Sequence, residues 1–457
     1  MTIVGVVKMI WNKVTGKDVS ADVLNAESRI DTWRKVYRGT PEWLDYWYPT
    51  LKGRMQKRVR KTMKPAKILC SEIAGLIWAE RPKLTTDERV QKVLDDCLFF
   101  DNAQRESELM LALGATIPKA YRKDGRIGID WVQADRFIPV TWDDSIITEA
   151  DFIDRRVINK KQYVRIERHR KNGEGYTITS DCFEEVGSQL VPAPLAVFGL
   201  EDAEQTSPVK LFHYIGNPEA NNLDTDSPLS ISCFANALDT IESLDIAFDA
   251  LQSEIVLGKK RIIVPAGAVR YVMNTETGKA ERYFDPSDEV FQAFSTDDKD
   301  NLKISDNTVE MRIEEIRRAI QTLLDILAIQ TGLNPGSISF DGAGMKTATE
   351  VISENSKTFK TKKGYENAIG TGIIGLCKTI RGLLEIGDGD DSIEWDDSVI
   401  EDRASKTNYV HGRLTGGTVS RWRAIMELDG VDEAEAKKRA AEIEQELAVS
   451  GMGGMFE

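Results

Sequence analysis

Directly after Pro65, the residues Ile68, Ile73, Leu76 and Ile77 recur at the spacing of an amphipathic helix, and a second helix is expected near residues 103–114. The period then changes. IGIDWV, RFIPVTW, QYVRIERH, YTITSDCF and VKLFHYI are short, rich in β-branched and aromatic residues, and separated by turn signals such as KDG and KNGEG. Residues 116–215 therefore predict a mostly antiparallel β region. Two long helices follow. The first opens at Ser227-Pro228, carries Phe234, Leu238, Ile241, Leu244, Phe248, Leu251 and Ile255 on one stripe, and stops at Gly258. The second starts after Asp306-Asn307, carries Val309, Ile313, Ile316, Ile320, Leu323 and Leu327, and ends at Gly332. At a rise of about 1.5 Å per residue each spans roughly 35–40 Å, and each narrow apolar stripe has charged flanks. Strand-like and turn-like sequence separates them, so a small β-containing module is expected at the far end of a helical pair.

A Gly/Pro/Ser loop at 332–346 leads into Thr347-Ala-Thr-Glu350, a capping box that predicts a third helix. There Val351, Ile352 and Phe359 fall on one side and Lys357, Lys360 and Lys363 elsewhere, as in an amphipathic helix with a solvated basic face. Ile393 and Trp395 alternate as in a strand. GGTVSRWRAIMELDGVDEAEAKKRAAEIEQELA reads as two helices with a short connection, before a fraying GMGGMFE.

The chain has 457 residues, 41% hydrophobic and 29% charged, enough for roughly two to four domains or one elongated subunit of several parts. No run approaches the eighteen or so apolar residues of a membrane span, and the N-terminus lacks the basic leader and cleavage site of a secretory signal. Five scattered cysteines without a C-x-x-C fit buried reduced thiols, and three histidines (His169, His213, His411) do not pair at metal-ligand spacing. A net charge of −14 argues against a protein whose main task is to grip phosphates. The segment from Lys52 to Lys67 runs the other way, with Lys52, Arg54, Lys57, Arg58, Arg60, Lys61, Lys64 and Lys67 and no acid. In an acidic chain this favours an intersubunit or intramolecular contact over DNA, with a solvated face as the plain alternative.

Two chemical motifs fail. In GAGMKTATEVISENSKTFKTKK, Gly342 and Gly344 stand at the wrong distance from Lys346-Thr347 for a phosphate loop, and LNPGSISFDG before it is a loop, not a strand feeding a helix. Counted from Asp388, a calcium loop needs glycine sixth and glutamate twelfth; Ile393 and Val399 stand there. No nucleophile elbow or metal triad appears, so no catalytic, cofactor or metal residues are assigned. Composition and spacing give an acidic, elongated α+β scaffold without an enzyme's signature.

The order of segments carries more. LGKKRIIVP after one long helix, then IQTGLNPGSISFDGAGMKTATEVISENSKTFKTKK, then SIEWDDSVIED, then GRLTGGTVSRWRAIMELDGVDEAEAKKRAAEIEQEL, resembles the phage portal protein family, in the branch typical of tailed phages of Gram-positive hosts. The aromatic and basic opening, WRKVYRG…WLDYW…MKPAKILCSEIAGLIW, is similar to that branch too. The resemblance implies an α+β subunit with an N-terminal arm and α/β wing at 1–225, a first stem helix at 226–257, a clip at 258–306 and a second stem helix at 307–331. A tunnel loop at 332–346, a tunnel helix with a strand returning to the wing at 347–402, and a short helical crown and tail at 403–457 complete it. It implies a ring of twelve copies in the virion, at one capsid vertex, assembled in the host cytoplasm, through which double-stranded DNA is packaged and ejected. The implied partners are the capsid and scaffolding proteins, the terminase large subunit and then the head–tail adaptor, with no membrane and no cofactor. The tunnel loop would present Ser339, Phe340, Asp341, Gly342, Ala343, Gly344, Met345 and Lys346, the clip Lys259, Lys260 and Arg261, and the tunnel helix Lys357 and Lys360. The alternatives are another ring-forming connector or minor head protein of the virion, or a metal-dependent DNA-processing enzyme.

Overall fold

The computed structural model describes residues 21–49, 54–123, 125–187, 189–200, 203–257, 262–263, 270–273, 278, 280–283, 305–306, 310–338, 348–395 and 403–449. They form an α+β fold. Helix α1 (Ala21–Arg38) leads to a hairpin of β1 (Asp45–Pro49) and β2 (Met55–Val59), then to α2 (Pro65–Ile77). Proline at the first position of α2 costs nothing, because that N–H has no intrahelical partner. Its face of Leu69, Cys70, Ile73, Ala74 and Ile77 is buried. After β3 (Lys83–Thr85), α3 (Glu88–Asp96) is capped by the Asp87 carboxylate, which accepts from the Arg89 N–H at 2.9 Å. Then comes α4 (Phe99–Leu113), which begins four residues earlier than the spacing predicts.

The expected antiparallel β region divides into two sheets. β4 (Ala115–Lys123), β5 (Arg126–Gln133) and β12 (Ile215–Gly216) form one in the order β12-β4-β5. The other runs β10-β9-β8-β7-β6, from β6 (Phe137–Asp143), β7 (Ile146–Ile158), β8 (Lys161–Asn172), β9 (Gly175–Val186) and β10 (Gln189–Pro192), with β11 (Glu204–Ser207) also pairing β9. The β6 edge contains Pro139 and register shifts at Pro139–Trp142, which discourage a further strand.

Helix α5 (Leu238–Leu257) begins eleven residues later than the expected start at Ser227. A short 3-10 turn at Ala235–Ala237 precedes it, and residues 230–233 are held outside any helix by specific bonds: the Asn217 amide donates to the Ile231 carbonyl (2.8 Å), the Ser230 N–H to the Tyr214 hydroxyl (2.7 Å), and the Cys233 N–H to the Leu111 carbonyl (2.9 Å). Short β pairs follow at β13 (Ile262–Ile263) with β16 (Ser305–Asp306) and β14 (Arg270–Met273) with β15 (Ala280–Tyr283). Helix α6 (Ile313–Gln330) also begins later than 307, because the Arg312 N–H is bonded to the Glu254 carboxylate (3.1 Å).

The longest helix, α7 (Ala348–Leu384), spans about 55 Å. Its second half buries Tyr365, Ile369, Ile373, Leu376, Cys377 and Ile380 in the main core. Cβ atoms at Gly372, Gly375 and Gly382 would lie 2.3–2.5 Å from Ile215, His213 and Val209 side chains, so these glycines let the helix lie directly on the segment entering β12. β17 (Ser392–Glu394) then pairs antiparallel with β3, and Trp395 meets Trp78 edge-on at 5.2 Å. The chain ends with three helices where the sequence predicts two: α8 (Arg403–Thr415), α9 (Arg421–Asp429) and α10 (Glu433–Val449).

Candidate functional site

The helix pair α5–α6 is rooted in the body at one end. At that end Ile241 and Leu244 of α5 and Ile320, Leu324, Leu327 and Ala328 of α6 are buried and continuous with the main core. At the other end the Arg312 guanidinium clasps the Glu254 carboxylate (3.2 Å). The two helices therefore run antiparallel. Along the pair, Ile246, Ile255, Val256, Ile326 and Ile329 are each 40–61% exposed, as is Met311 just ahead of α6. A buried branched side chain is worth about 1.5–3 kcal/mol, so these exposed apolar side chains on more than one side of the pair are available for contact with another surface.

Helix α5 contains Asp239, Glu242, Asp245, Asp249 and Glu254 and no basic residue. The basic segment uses those acids. The Arg58 guanidinium lies 3.4 Å from the Asp249 carboxylate and donates to the Ser253 hydroxyl (3.0 Å), the Lys61 N–H donates to Asp249 (3.0 Å), and the Trp43 indole donates to Asp245 (3.0 Å). Lys57 pairs with Asp45 (2.6 Å), Arg60 donates to the Trp43 carbonyl (2.7 Å), and Lys67 pairs with Glu108. Much of the basic run is thus an intramolecular clasp that orients the helix pair.

The exit from α6 is a tight turn held by α7. Gly332 has φ +78°, which suits glycine, and its carbonyl accepts from the Thr361 hydroxyl at 2.7 Å. The Asn334 N–H donates to the Thr358 hydroxyl (3.0 Å), and the Lys357 ammonium donates to the Ile329 carbonyl (2.8 Å). Three side chains on adjacent turns of α7 thus hold this exit turn, and the Lys357 cation sits on a carbonyl of the last turn of α6, where the helix dipole is negative. Lys357 has a structural partner, whereas Lys360 is exposed. Ser339, Phe340, Asp341, Gly342, Ala343, Gly344, Met345 and Lys346 lie outside the described residues, as do Lys259, Lys260 and Arg261.

Sequence spacing gave no hint of a buried ionic cluster between the two sheets. Glu167 on β8 meets the Lys119 ammonium (2.7 Å), the Arg165 guanidinium (2.7 Å) and the His169 Nε2 (2.7 Å). Burial alone would raise the Glu167 carboxyl, but Lys119, His169 and Arg165 together hold it well below the usual carboxylate range. Burial depresses His169, although Glu167 opposes it, and the ring is 0% exposed, packed against Phe152 and Phe212. With side chains no more than 15% exposed, the cluster braces the two sheets against each other. His213 is likewise internal: burial, with Lys210 and Lys378 nearby, depresses it to about 3, and its Nε2 lies 2.8 Å from the Thr379 hydroxyl. The acidic stretch near 388 is partly structural too, since Asp391 pairs with Arg381 (2.8 Å) and accepts from Thr86 (2.6 Å). Among the described residues no cluster of His, Cys, Asp and Glu is arranged to hold a metal ion, and no helix is long and apolar enough to cross a membrane.

The chain belongs to the family described as "Phage portal protein, SPP1 Gp6-like", whose model matches residues 18–448. No curated protein matches it. Solved chains match in number; one, from "Virion of native gene transfer agent (GTA) particle", is 12% identical, covers 87% of this chain and 98% of its own, and has a TM-score of 0.45.

Proposed function

We propose that the chain is the subunit of a portal ring of twelve copies around a channel for double-stranded DNA. The family match over residues 18–448 carries this reading. The exposed isoleucines of α5 and α6 support it, because one copy leaves them uncovered and a ring of copies would bury them. In this reading α5 and α6 are the stem, residues 258–306 the clip that meets the terminase and later the head–tail adaptor, and residues 332–346 the tunnel loop at the narrowest part of the channel. Residues 1–225 form the arm and wing, α7 the tunnel helix, and α8–α10 the crown. The acidic total suits a conduit: a wall that repels phosphates lets DNA slide, and sparse lysines such as Lys346 and Lys360 keep contacts short-lived. The protein does no chemistry on the DNA, and a separate motor supplies the energy.

Electron microscopy of the purified protein tests the assembly, with rings expected; a monomer by light scattering at every concentration refutes it. A packaging assay tests the loop. Gly344→Trp would converge on one axis in every copy, so rings should form and DNA filling should fail, while Lys346→Ala should fill nearly normally. Normal filling with the tryptophan variant would remove residues 332–346 from the constriction.

A further inference from the structure

The β1–β2 hairpin has two unlike faces. Register pairs Tyr46 with Arg58 and Tyr48 with Gln56 on one face, and that face turns to α5, where Arg58 meets Asp249. The opposite face carries Trp47, Met55 and Val59, each 57–61% exposed, beside Asp45, Pro49 and Lys57. Lys57 is paired with Asp45 at 2.6 Å, so among the described residues this face is apolar and electrically neutral. Such a face is unsuited to phosphate. It is also too large an apolar surface for a two-stranded hairpin to leave in water without a partner.

We infer that this face docks on a second copy of the chain, against the outer end of the neighbour's α5–α6 pair. The inference rests on the ring reading above. Rotation about an axis running along the helix pair keeps every residue at its own height, and Arg58 fixes the hairpin at the level of Asp249 and Ser253. At that end of the pair Ile255, Val256 and Met311 are 47–61% exposed, an apolar patch of matching kind. The rims are complementary as well. Exposed Lys61 follows Val59 by two residues, whereas exposed Glu310, Glu314 and Glu315 flank Met311. Two different patches of one chain meeting head to tail propagate around a ring.

The test places the photo-reactive residue p-benzoylphenylalanine at position 47 in the full-length chain and maps the adducts by mass spectrometry. Mixed heavy- and light-isotope protein separates contacts between copies from contacts within one. Adducts from position 47 to residues 254–257 or 310–318 of a different copy are expected. Adducts within the same chain, or to added double-stranded DNA, overturn the contact. In parallel, Trp47→Ser with Met55→Ser, and separately Val256→Ser with Met311→Ser, should each raise the concentration for half-assembly at least about tenfold while leaving monomer melting unchanged. Rings that assemble as wild type with both pairs changed refute the contact and leave the ring reading standing. Wild-type protein that forms no rings refutes both.

Discussion

Gly332 and Thr361 should be energetically coupled, and the structure sets the size of the coupling. At φ +78° an alanine in place of Gly332 costs about 1–2 kcal/mol for its backbone alone. Its Cβ would also stand 2.5 Å from the Thr361 Oγ1 and 3.2 Å from Cγ2. Thr361 must then leave its rotamer, at about 1 kcal/mol, and give up the 2.7 Å bond to the Gly332 carbonyl, worth about 1 kcal/mol more. Gly332→Ala should therefore cost about 3–4 kcal/mol and Thr361→Ala about 1 kcal/mol. In the double variant the clash and its rotamer penalty vanish, and the bond is lost once, leaving about 2–3 kcal/mol. The coupling is then about 2 kcal/mol. A chain of several parts need not unfold in one step, so native-state hydrogen exchange at the Thr331, Leu333 and Asn334 amides is the suitable assay. Equal increments for Gly332→Ala in the two backgrounds would refute the argument.

Glu27 offers a pH test. Burial, then the neighbouring Asp135, raises its carboxyl to about 8, above an ordinary value of 4.5. The folded chain therefore holds this proton where the unfolded chain releases it. The stability it contributes is fully present below about pH 4.5 and is lost as pH rises through about 8. Glu27→Gln should flatten the stability profile between these limits and gain most at pH 8, measured by urea unfolding across pH; an unchanged slope would count against it. Leu324→Asp puts an unpaired charge where the side chain is 2% exposed, at a cost of several kcal/mol, so soluble protein and rings should both be lost in gel filtration. Ile326→Ser with Ile329→Ser should do the reverse to the chain alone, since both are exposed: monomer melting should stay within about 1 kcal/mol of wild type while ring assembly weakens.

Elements with strong local periodicity were legible. The Pro65 helix, the antiparallel β region and the three long helices lie where apolar spacing points, and the α+β class follows from them. Element starts were less legible, because Ser227-Pro228 looks like a helix opening while Tyr214, Asn217 and Leu111, distant in sequence, bind the residues after it in a non-helical path. Helix α8 escaped notice because RASKTNYVHGRLT has no apolar stripe. The candidate site was half legible. The exposed isoleucines of the helix pair look like core residues in sequence, and only the fold shows that they are 40–52% exposed. The Glu167 brace was invisible, since its partner Lys119 comes from a strand 48 residues away. The basic run is readable as a contact, but the acids that receive it lie almost two hundred positions on.

The glycines of α7 determine how that helix can move. Gly372, Gly375 and Gly382 are keyed to Ile215, His213 and Val209. Advancing the helix by one residue would shift it about 1.5 Å and turn it about 100°, setting side chains where only hydrogen fits. A piston stroke along its own axis is therefore barred, and so is a roll. The half keyed by these glycines acts as a fixed pivot, and displacement of the half before it must appear as a bend near residues 357–364, where the exit turn of α6 is tied on. A push on that N-terminal half is thus delivered to Gly332 and the base of α6, so the long helix works as a lever and not as a plunger.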